Sequence, residues 1–536
     1  MRQFFILSAL CVGMAALTPA HAGEKVWISL GDAALAQLQK HRPAARAVAS
    51  VQADAAQDGS ALAAASASAS ARAVRNEGLH LVEVDEDVLA SLSHSIHEEL
   101  KRCGGYMYHP TREAGLASLQ RHSTPVGAQR LAAALVASRP SYVIDQQSVV
   151  TPILSQMQAS NIGQTIVDLS ANTNRYYTSS SGVAASNWLR QKWTTLAGGR
   201  TDITVEQFSH PNWAQKSVIA TIQGTDNGSE VIVMGAHLDS INQSGGSGET
   251  MRAPGADDDA SGVASLTEVL RALVQANYKP RRTIKFMAYA AEEVGLRGSQ
   301  EIANSFAAAG VNVVGVLQLD MTNYKGAAND IYLFSDYTDS GQNTFLSNVI
   351  ATYLPTLRVG TDRCGYACSD HASWNAKGYF ASMPFEAGMS SSNPYIHTAN
   401  DTYANMGSQA DHALKFARMA AAYAVELGSD GPGTPPPVDR TENFSGSLTR
   451  GQSRSFGPFK VASGGALAAS TTGTGDIDLY VRKGAVPTTS TYTCKSDGSS
   501  STEGCSVTMT ANGDVYVLVY GYSAGNYQLK VTYRPQ

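Results

Sequence analysis

Beyond its N-terminus, the 536-residue sequence has no apolar run that approaches the length of a membrane-spanning helix. Such a helix needs about 20 consecutive apolar residues. The sequence also lacks a marked excess of either charge, because 40 Lys and Arg residues against 45 Asp and Glu residues give a formal net charge of −5. No basic stripe alternates with aromatic residues. We therefore expect no integral membrane span, and neither nucleic acid nor an anionic membrane surface as a partner.

Cysteine is scarce, with six residues in the whole chain. Cys364 and Cys368 lie close together, and Cys494 and Cys505 flank a segment of hairpin size. These spacings predict two local disulfides. The other two cysteines fall in N-terminal segments that we expect to be removed. Paired cysteines are typical of proteins that fold in an oxidising compartment.

The N-terminus has the pattern of a secretory signal. Residues 1–22, MRQFFILSALCVGMAALTPAHA, combine one early positive charge, a short apolar core and a small-residue ending, so we expect cleavage and a secreted, extracellular protein. Residues 23–140 contain an Ala/Ser-rich tract with little large apolar content, followed by an acidic, helical-looking piece. We interpret them as a pro-segment that inhibits the mature protein or assists its folding. A retained N-terminal domain is the alternative.

The rest of the chain divides into two regions with different sequence patterns, joined by a linker. Residues 141–427 alternate apolar strand-like runs with amphipathic helix-like runs, such as EVIVMGAHLDS and SGVASLTEVLRALVQ. This alternation favours an α/β fold with a largely parallel sheet covered by helices on both faces. Residues 428–439, GSDGPGTPPPVD, are a Pro- and Gly-rich linker. Residues 440–536 alternate short β-type runs with Gly- and Ser-rich turns, which predicts a small antiparallel β-sandwich.

Side chains that can bind metal recur where the predicted strands of the middle region end. They are His237, Asp239, Asp257, Asp258, Asp259, Glu292, Glu293 and Asp320, with His397 in a later loop. Open parallel sheets bind ligands at the carboxyl ends of their strands. Two imidazoles and several carboxylates suit zinc, manganese or cobalt, and the acids outnumber what one ion needs. The sequence therefore predicts a two-metal site, in which one aspartate of the run lies between the cations.

The spacing within two of these motifs suggests a division of roles. His237 and Asp239 point to the same side of a strand, so the Asp239 carboxylate is expected to accept the imidazole proton. Glu292 and Glu293 point to opposite sides, so one can hold metal while the other takes a proton from water.

Two other motifs fail as catalytic sites. The HEELK segment begins like a single-helix zinc motif, but Lys101 stands where the second histidine is required. Ser369, Asp370 and His371 are adjacent in the chain, and three adjacent residues cannot form a nucleophile relay.

Seven motifs in order closely resemble the secreted bacterial leucyl aminopeptidases of the M28 peptidase family. They are GAHLDS, APGADDDASG, FMAYAAEEVGLRGSQ, LQLDMTNYKG, CGYACSDHASW, MPFE and NPYIHT. The resemblance spans about residues 141 to 427. It implies a mostly parallel eight-stranded α/β sheet and two zinc ions in the catalytic domain.

The resemblance assigns a role to each ligand candidate. Asp258 would bridge the two zinc ions. Glu293 and His397 would complete one zinc site, and His237 and Asp320 the other. The family also typically has a cis peptide bond after the bridging aspartate, here between Asp258 and Asp259.

The resemblance also assigns the reaction. Glu292 would be the general base and acid, Asp239 the partner of His237, and Tyr366 a donor to the tetrahedral oxyanion. Met321, Met383 and Phe385 would line an apolar substrate pocket. The implied activity is release of N-terminal leucine or another hydrophobic residue from peptides and proteins with a free N-terminus. We expect a monomer.

The C-terminal region, with GDIDLYVRKG and VYVLVYGYSAGNYQL, resembles the pre-peptidase C-terminal domain of secreted bacterial peptidases. Two alternatives to the aminopeptidase hypothesis remain. A related two-zinc carboxypeptidase or aminoacylase would need a cationic group for a terminal carboxylate, and no motif supplies one. An inactive exported binding protein is disfavoured because every expected ligand and the base are present.

Overall fold

A computed structural model describes residues 24–52, 78–100, 105–123, 139–243, 248–430 and 439–535. The predicted signal segment, the Ala/Ser-rich tract, Lys101 and most of the predicted linker lie outside these residues. No helix in the described ranges combines the length and the hydropathy that crossing a membrane requires.

The N-terminal unit is a small α+β layer. Its four strands are β1 (Lys25–Gly31), β2 (Ala47–Gln52), β3 (Gly78–Asp85) and β4 (Tyr106–His109), in the antiparallel order β2-β3-β1-β4. Its helices are α1 (Asp32–His41), α2 (Val88–Ser95) and α3 (Arg112–Ser123), and α2 continues as a π-helical turn, Ile96–Leu100. Val26, Ile28, Leu81 and other apolar side chains fill a core of its own. The acidic piece is thus helical, as the sequence indicates.

The middle unit is built on a mixed eight-stranded sheet in the order β11-β10-β12-β9-β7-β8-β6-β5. The strands are β5 (Ile203–Phe208), β6 (Ser217–Ile222), β7 (Asn227–His237), β8 (Arg282–Tyr289), β9 (Asn312–Gln318), β10 (Ile331–Phe334), β11 (Val359–Asp362) and β12 (Ala381–Phe385). The central pairs β8/β7, β7/β9 and β9/β12 are parallel, whereas β5, β6 and β10 introduce antiparallel pairs. The predicted eight-stranded α/β fold is confirmed, with its parallel part in the centre.

Helices flank this sheet. They are α4 (Gln147–Ser155), α5 (Ala159–Ser170), α6 (Ser180–Leu196), α7 (Ala260–Gln275), α8 (Arg297–Ala308), α9 (Ser340–Tyr353), α10 (His371–Asn375) and α11 (Asp411–Ser429). Helix α7 is buried on nearly every side because β7, α5 and α11 all pack against it. Its first turn is capped by the Asp259 carboxylate, which accepts the N–H group of Gly262 at 2.9 Å. The last aspartate of the run, Asp259, is therefore the N-cap of α7.

The C-terminal unit is an antiparallel sandwich, as predicted. One sheet has the order β13-β20-β15-β18 and the other β14-β19-β16-β17. The strands are β13 (Arg440–Leu448), β14 (Ser453–Val461), β15 (Ala466–Gly473), β16 (Ile477–Lys483), β17 (Cys494–Ser496), β18 (Glu503–Thr508), β19 (Gly513–Gly521) and β20 (Gly525–Tyr533). A disulfide joins Cys494 to Cys505, which confirms the predicted pairing.

Candidate metal centre and active site

The expected ligands meet at one edge of the central sheet. Strand β7 ends at His237, β8 ends three residues before Glu292, and β9 ends two residues before Asp320. Because these neighbouring strands are parallel, their carboxyl ends lie side by side. The aspartate run arrives from the loop before α7, and His397 from the loop between β12 and α11. All five expected ligands are buried.

Asp258 lies between the two histidines. One of its oxygens, Oδ1, is 2.8 Å from Nε2 of His237, and the other, Oδ2, is 3.1 Å from Nε2 of His397. Glu293 Oε2 is 2.9 Å from His397 Nε2, and Asp320 Oδ1 is 3.6 Å from His237 Nε2. Each histidine thus faces Asp258 and one further carboxylate, in the pairing expected for the two metal sites.

The chemistry of the donors fits metal ions better than it fits a hydrogen-bonded core. Among the described residues, the buried atoms Nε2 of His397 and Oε1 of Glu293 have no hydrogen-bond partner, although His397 Nε2 faces two carboxylates. Buried polar atoms are otherwise nearly always paired. Ligand atoms of His237, Asp258 and Glu293 also lie close together, so the two expected metal sites adjoin each other at Asp258. Imidazole and carboxylate donors in this mixture suit zinc.

The electrostatics of the cluster indicate a deficit of positive charge. Burial raises the pKa of Glu293 to about 7 and raises that of Glu292 well above its ordinary value. Burial alone would lower the pKa of His397, but the Glu293 and Asp258 carboxylates outweigh it and raise that pKa to about 10. These shifts show that the site favours added positive charge, which bound cations would supply.

Asp259 forms a second grouping of ligand atoms with His237 and Asp320. Its carboxylate, however, already accepts three main-chain N–H groups. Oδ2 accepts from His237 at 2.9 Å, and Oδ1 accepts from Gly262 at 2.9 Å and from Met321 at 3.1 Å. The Asp258–Asp259 peptide bond is cis, as the family resemblance implies. Asp259 therefore ties the ends of β7, β9 and α7 together, while Asp258 faces the histidines.

Asp239 makes different contacts from those expected. Nδ1 of His237 is 3.1 Å from the main-chain carbonyl oxygen of Asp239 and 3.7 Å from its Oδ1 atom. The Asp239 carboxylate instead accepts the N–H groups of Glu292 at 3.0 Å and Glu293 at 3.2 Å. The strand has already ended at His237, so the alternation on which the expectation rested does not extend to Asp239.

The three expected pocket residues lie together in one buried apolar cluster. Met321, Met383 and Phe385 pack with Tyr366, with the Cys364–Cys368 disulfide, and with Phe334 and Ile396. The disulfide confirms the predicted pairing. The sequence motifs did not predict Phe334 and Ile396 as members of this cluster, although the position of Ile396 directly before His397 could have indicated it.

The two rejected motifs lie near this centre, although none of their described residues is among its expected ligands. Ser369, Asp370 and His371 lead into α10, and His371 Nε2 contacts the Asp336 carbonyl oxygen at 3.1 Å. A further segment, GYSAG at Gly521–Gly525, was not among those motifs; it has the spacing of a serine-hydrolase elbow but forms the turn between β19 and β20 in the sandwich. A nucleophile elbow requires a turn from strand to helix.

The N-terminal unit contacts the loop that carries the two glutamates. Tyr108 in β4 donates its N–H group to the Gly295 carbonyl oxygen at 3.2 Å. Arg297 pairs with Glu86 at 2.8 Å, and its guanidinium lies 4.1 Å from the centre of the Tyr108 ring. The ring of His97 is 5.0 Å from that of His397. This unit thus lies directly beside the candidate metal centre.

Sequence-family comparison matches residues 217–424 to peptidase family M28 and residues 457–521 to the bacterial pre-peptidase C-terminal domain. Leucine aminopeptidase 1 of Grosmannia clavigera is 38% identical over 345 residues, which cover 61% of this chain and 80% of that protein. Leucine aminopeptidase 1 of Coccidioides posadasii is 37% identical over 298 residues, which cover 53% of this chain and 75% of that protein.

Solved structures give a consistent result. LapB from Legionella pneumophila is 29% identical to this chain, with a TM-score of 0.58. The match covers 76% of this chain and all of LapB. The LapA aminopeptidase of the same organism is 28% identical, also with a TM-score of 0.58, over 76% of this chain and 99% of LapA.

Proposed function

Since the chain belongs to peptidase family M28 and is a metalloaminopeptidase, we propose that it uses two zinc ions to release N-terminal leucine and other hydrophobic residues from peptides. The proposed ligands are His237, Asp258, Glu293, Asp320 and His397. The observation that best supports the proposal is the position of Asp258 between His237 and His397. Its two carboxylate oxygens lie 2.8 and 3.1 Å from the Nε2 atoms of these histidines. A carboxylate so placed is suited to bridge two cations.

Each remaining role follows from the side chains around the ligands. When bound, zinc ions lower the pKa of water and polarise a scissile carbonyl group. Glu292 takes a proton from the attacking water and returns it to the leaving amine. Asp239 orients Glu292 by holding its main-chain N–H group. Tyr366 donates a hydrogen bond to the developing oxyanion.

The proposed metal pair and the apolar cluster support the proposed substrate. A free amino group at the N-terminus of a peptide would lie at the metal pair as a nitrogen donor, and an N-acylated peptide lacks that donor. The cluster containing Met321, Met383 and Phe385 supports a hydrophobic first residue, because burying a leucine side chain contributes about 1.5–3 kcal/mol. The expected substrates are therefore peptides and proteins with free N-termini. We propose that the enzyme acts on them as a monomer.

Processing and export also belong to the proposal. Residues 1–22 would act as a cleaved signal for secretion. Residues 23–140 would be a pro-segment, and the contacts of Tyr108 with Gly295 and of Glu86 with Arg297, at the start of α8, support a role in covering the site. The pre-peptidase C-terminal domain would be an accessory module for secretion or surface attachment.

Zinc titration tests the metal stoichiometry. The processed enzyme is stripped with a chelator and assayed on leucyl anilide while zinc is returned in known amounts. We expect activity to recover fully only when two zinc ions are bound per chain. Full activity with a single bound zinc ion, or activity that survives chelation, would contradict the two-zinc proposal.

A further inference from the structure

The loop that presents Asp258 is held along both edges by hydrogen bonds to buried polar side chains. Residues 253–259 form the last part of the loop that connects strand β7 to helix α7. Carbonyl oxygens on one edge of this loop accept hydrogen bonds from a guanidinium, and N–H groups on the other edge donate to a carboxylate. Neither of these side chains is among the expected metal ligands, and no sequence motif singled them out.

Arg175 supplies the cation. It is fully buried. Its Nε atom donates to the Leu238 carbonyl oxygen at 2.8 Å, Nη2 donates to that of Gly255 at 2.8 Å, and Nη1 donates to that of Pro254. Leu238 directly follows the ligand His237, so one guanidinium spans the two segments that carry His237 and Asp258. A planar fork with fixed donors suits such a span.

Asp401 supplies the acceptors on the other edge. It is 1% exposed, and its two oxygens accept from consecutive main-chain groups, Asp257 N–H at 3.0 Å and Asp258 N–H at 3.0 Å. Its own carbonyl oxygen accepts the N–H group of Ala256 at 3.1 Å. Asp401 lies four residues after the ligand His397. It therefore connects the segment that carries His397 to the backbone of Asp258.

The loop has little room to move between these two side chains. Gly255 has a positive φ of 51°, and a Cβ atom there would lie 2.4 Å from the Asp258 carbonyl oxygen and 2.8 Å from Nη2 of Arg175. The backbone thus approaches both the guanidinium and the next turn closely enough to require glycine. A displacement of Asp258 would break hydrogen bonds to buried side chains on both edges.

We infer that Arg175 and Asp401 are positioning residues of the metal centre. They hold the Asp258 loop from opposite edges and keep Asp258 aligned with His237 and His397. The inference rests on the proposed function, since it assumes that Asp258 binds metal. Neither residue touches substrate or the reacting atoms. Their effect is on zinc affinity, because partners that orient metal ligands typically change affinity by about 10- to 100-fold.

Two conservative substitutions test the inference, each with a matched control. In Asp401→Asn the amide keeps one acceptor oxygen, but its NH2 group faces the second main-chain N–H. Glu426 is also a buried carboxylate that accepts consecutive N–H groups, from Asp145 at 3.0 Å and Gln146 at 3.1 Å, and it belongs to none of the loops that carry ligands. Glu426→Gln is therefore its control.

Arg175→Lys keeps the positive charge but loses the planar guanidinium that donates in three directions. Its control is Arg282→Lys, because Arg282 is equally buried and donates to Glu230 at 2.6 Å and to the Leu427 carbonyl oxygen at 2.7 Å. Arg282 begins β8, so it lies at the end of that strand away from Glu292. If one test variant fails to fold, the other test variant and its control still decide the question.

Zinc affinity is measured by competition with a chelator, without substrate, alongside the thermal unfolding of the zinc-free chains. We expect Asp401→Asn and Arg175→Lys to weaken zinc binding by about 10- to 100-fold, while both controls keep wild-type affinity even where they unfold at lower temperature. Wild-type zinc affinity in a folded Asp401→Asn or Arg175→Lys protein, or equal losses in the controls, would overturn the inference.

Two further outcomes are decisive. If both test variants fail to fold while both controls fold, Arg175 and Asp401 are residues of the fold rather than of the metal centre, and the inference is overturned. A wild-type chain that binds zinc but does not cleave leucyl anilide would contradict the proposed function alone, since the affinity measurement needs no turnover.

Discussion

The carboxylate of Asp239 accepts the main-chain N–H group of Glu292 at 3.0 Å. Asp239 follows β7, and Glu292 follows the neighbouring strand β8. The same carboxylate accepts the N–H group of Glu293 at 3.2 Å. One side chain thus fixes the turn in which the proposed base and a proposed ligand are adjacent, so their roles can be separated by substitution.

Replacing the base should abolish turnover without emptying the site. Glu292→Gln keeps the size of the side chain but removes the group that takes the proton, so we expect kcat to fall by about 100- to 10,000-fold. Elemental analysis should find the wild-type zinc content. A zinc-free Glu292→Gln protein would mean that Glu292 is a ligand and that the two glutamates have been assigned the wrong roles.

Replacing the adjacent glutamate should have the opposite signature. Glu293 Oε2 lies 2.9 Å from His397 Nε2, so Glu293→Gln should weaken zinc binding at that histidine and leave the site of His237 and Asp320 filled. Zinc content after dialysis against a weak chelator gives the readout. Retention of all zinc together with a loss of kcat would show that Glu293, rather than Glu292, acts on the proton.

Loosening the N-terminal unit should activate the unprocessed chain. Arg297 contacts both Glu86 and the Tyr108 ring, so Glu86→Gln combined with Tyr108→Ala removes both contacts while leaving the catalytic loop intact. We expect the hydrolysis rate of unprocessed protein on leucyl anilide to rise severalfold towards that of processed enzyme.

Asp32→Asn is the control for this double variant. Asp32 pairs with His80 within the N-terminal unit, so its substitution changes that unit without touching Arg297. The covering role would be contradicted if the double variant stayed at the wild-type rate while limited proteolysis showed its N-terminal unit to be detached.

The apolar cluster should set the side-chain preference. Met383 is buried beside Met321 and Phe385, so Met383→Ala should enlarge the pocket and lower the ratio of kcat/KM for leucyl over phenylalanyl anilide by about 10-fold. Met287→Ala, in a different buried cluster, should lower stability but keep the ratio. An unchanged ratio in a folded Met383→Ala enzyme would remove this cluster from the substrate pocket.

The sequence predicted those features whose signal is local. His237, Glu292, Glu293 and Asp320 stand within a few residues of predicted strand ends, and parallel strands bring such positions together. The two disulfides join cysteines 4 and 11 residues apart. The α/β sheet and the C-terminal sandwich follow from alternating apolar and turn-rich segments, whereas the number of eight strands is what the family resemblance implies.

The features that the sequence did not predict depend on contacts between distant segments. Arg175 and Asp401 lie 80 and 143 positions from the groups of Gly255 and Asp258 that they contact. Neither stands in a spacing typical of metal ligands, so only the folded chain reveals their role. The contact between Asp239 and Glu292 also depends on where β7 ends, which apolar alternation does not fix to the residue.

The most direct test compares leucyl anilide with its N-acetylated twin, using processed enzyme before chelation, after chelation and after the return of zinc. An aminopeptidase of the proposed kind cleaves only the substrate with a free amino group, loses that activity on chelation and recovers it with zinc. Cleavage of the N-acetylated substrate, or of neither substrate by processed, zinc-loaded protein, would contradict the proposed function.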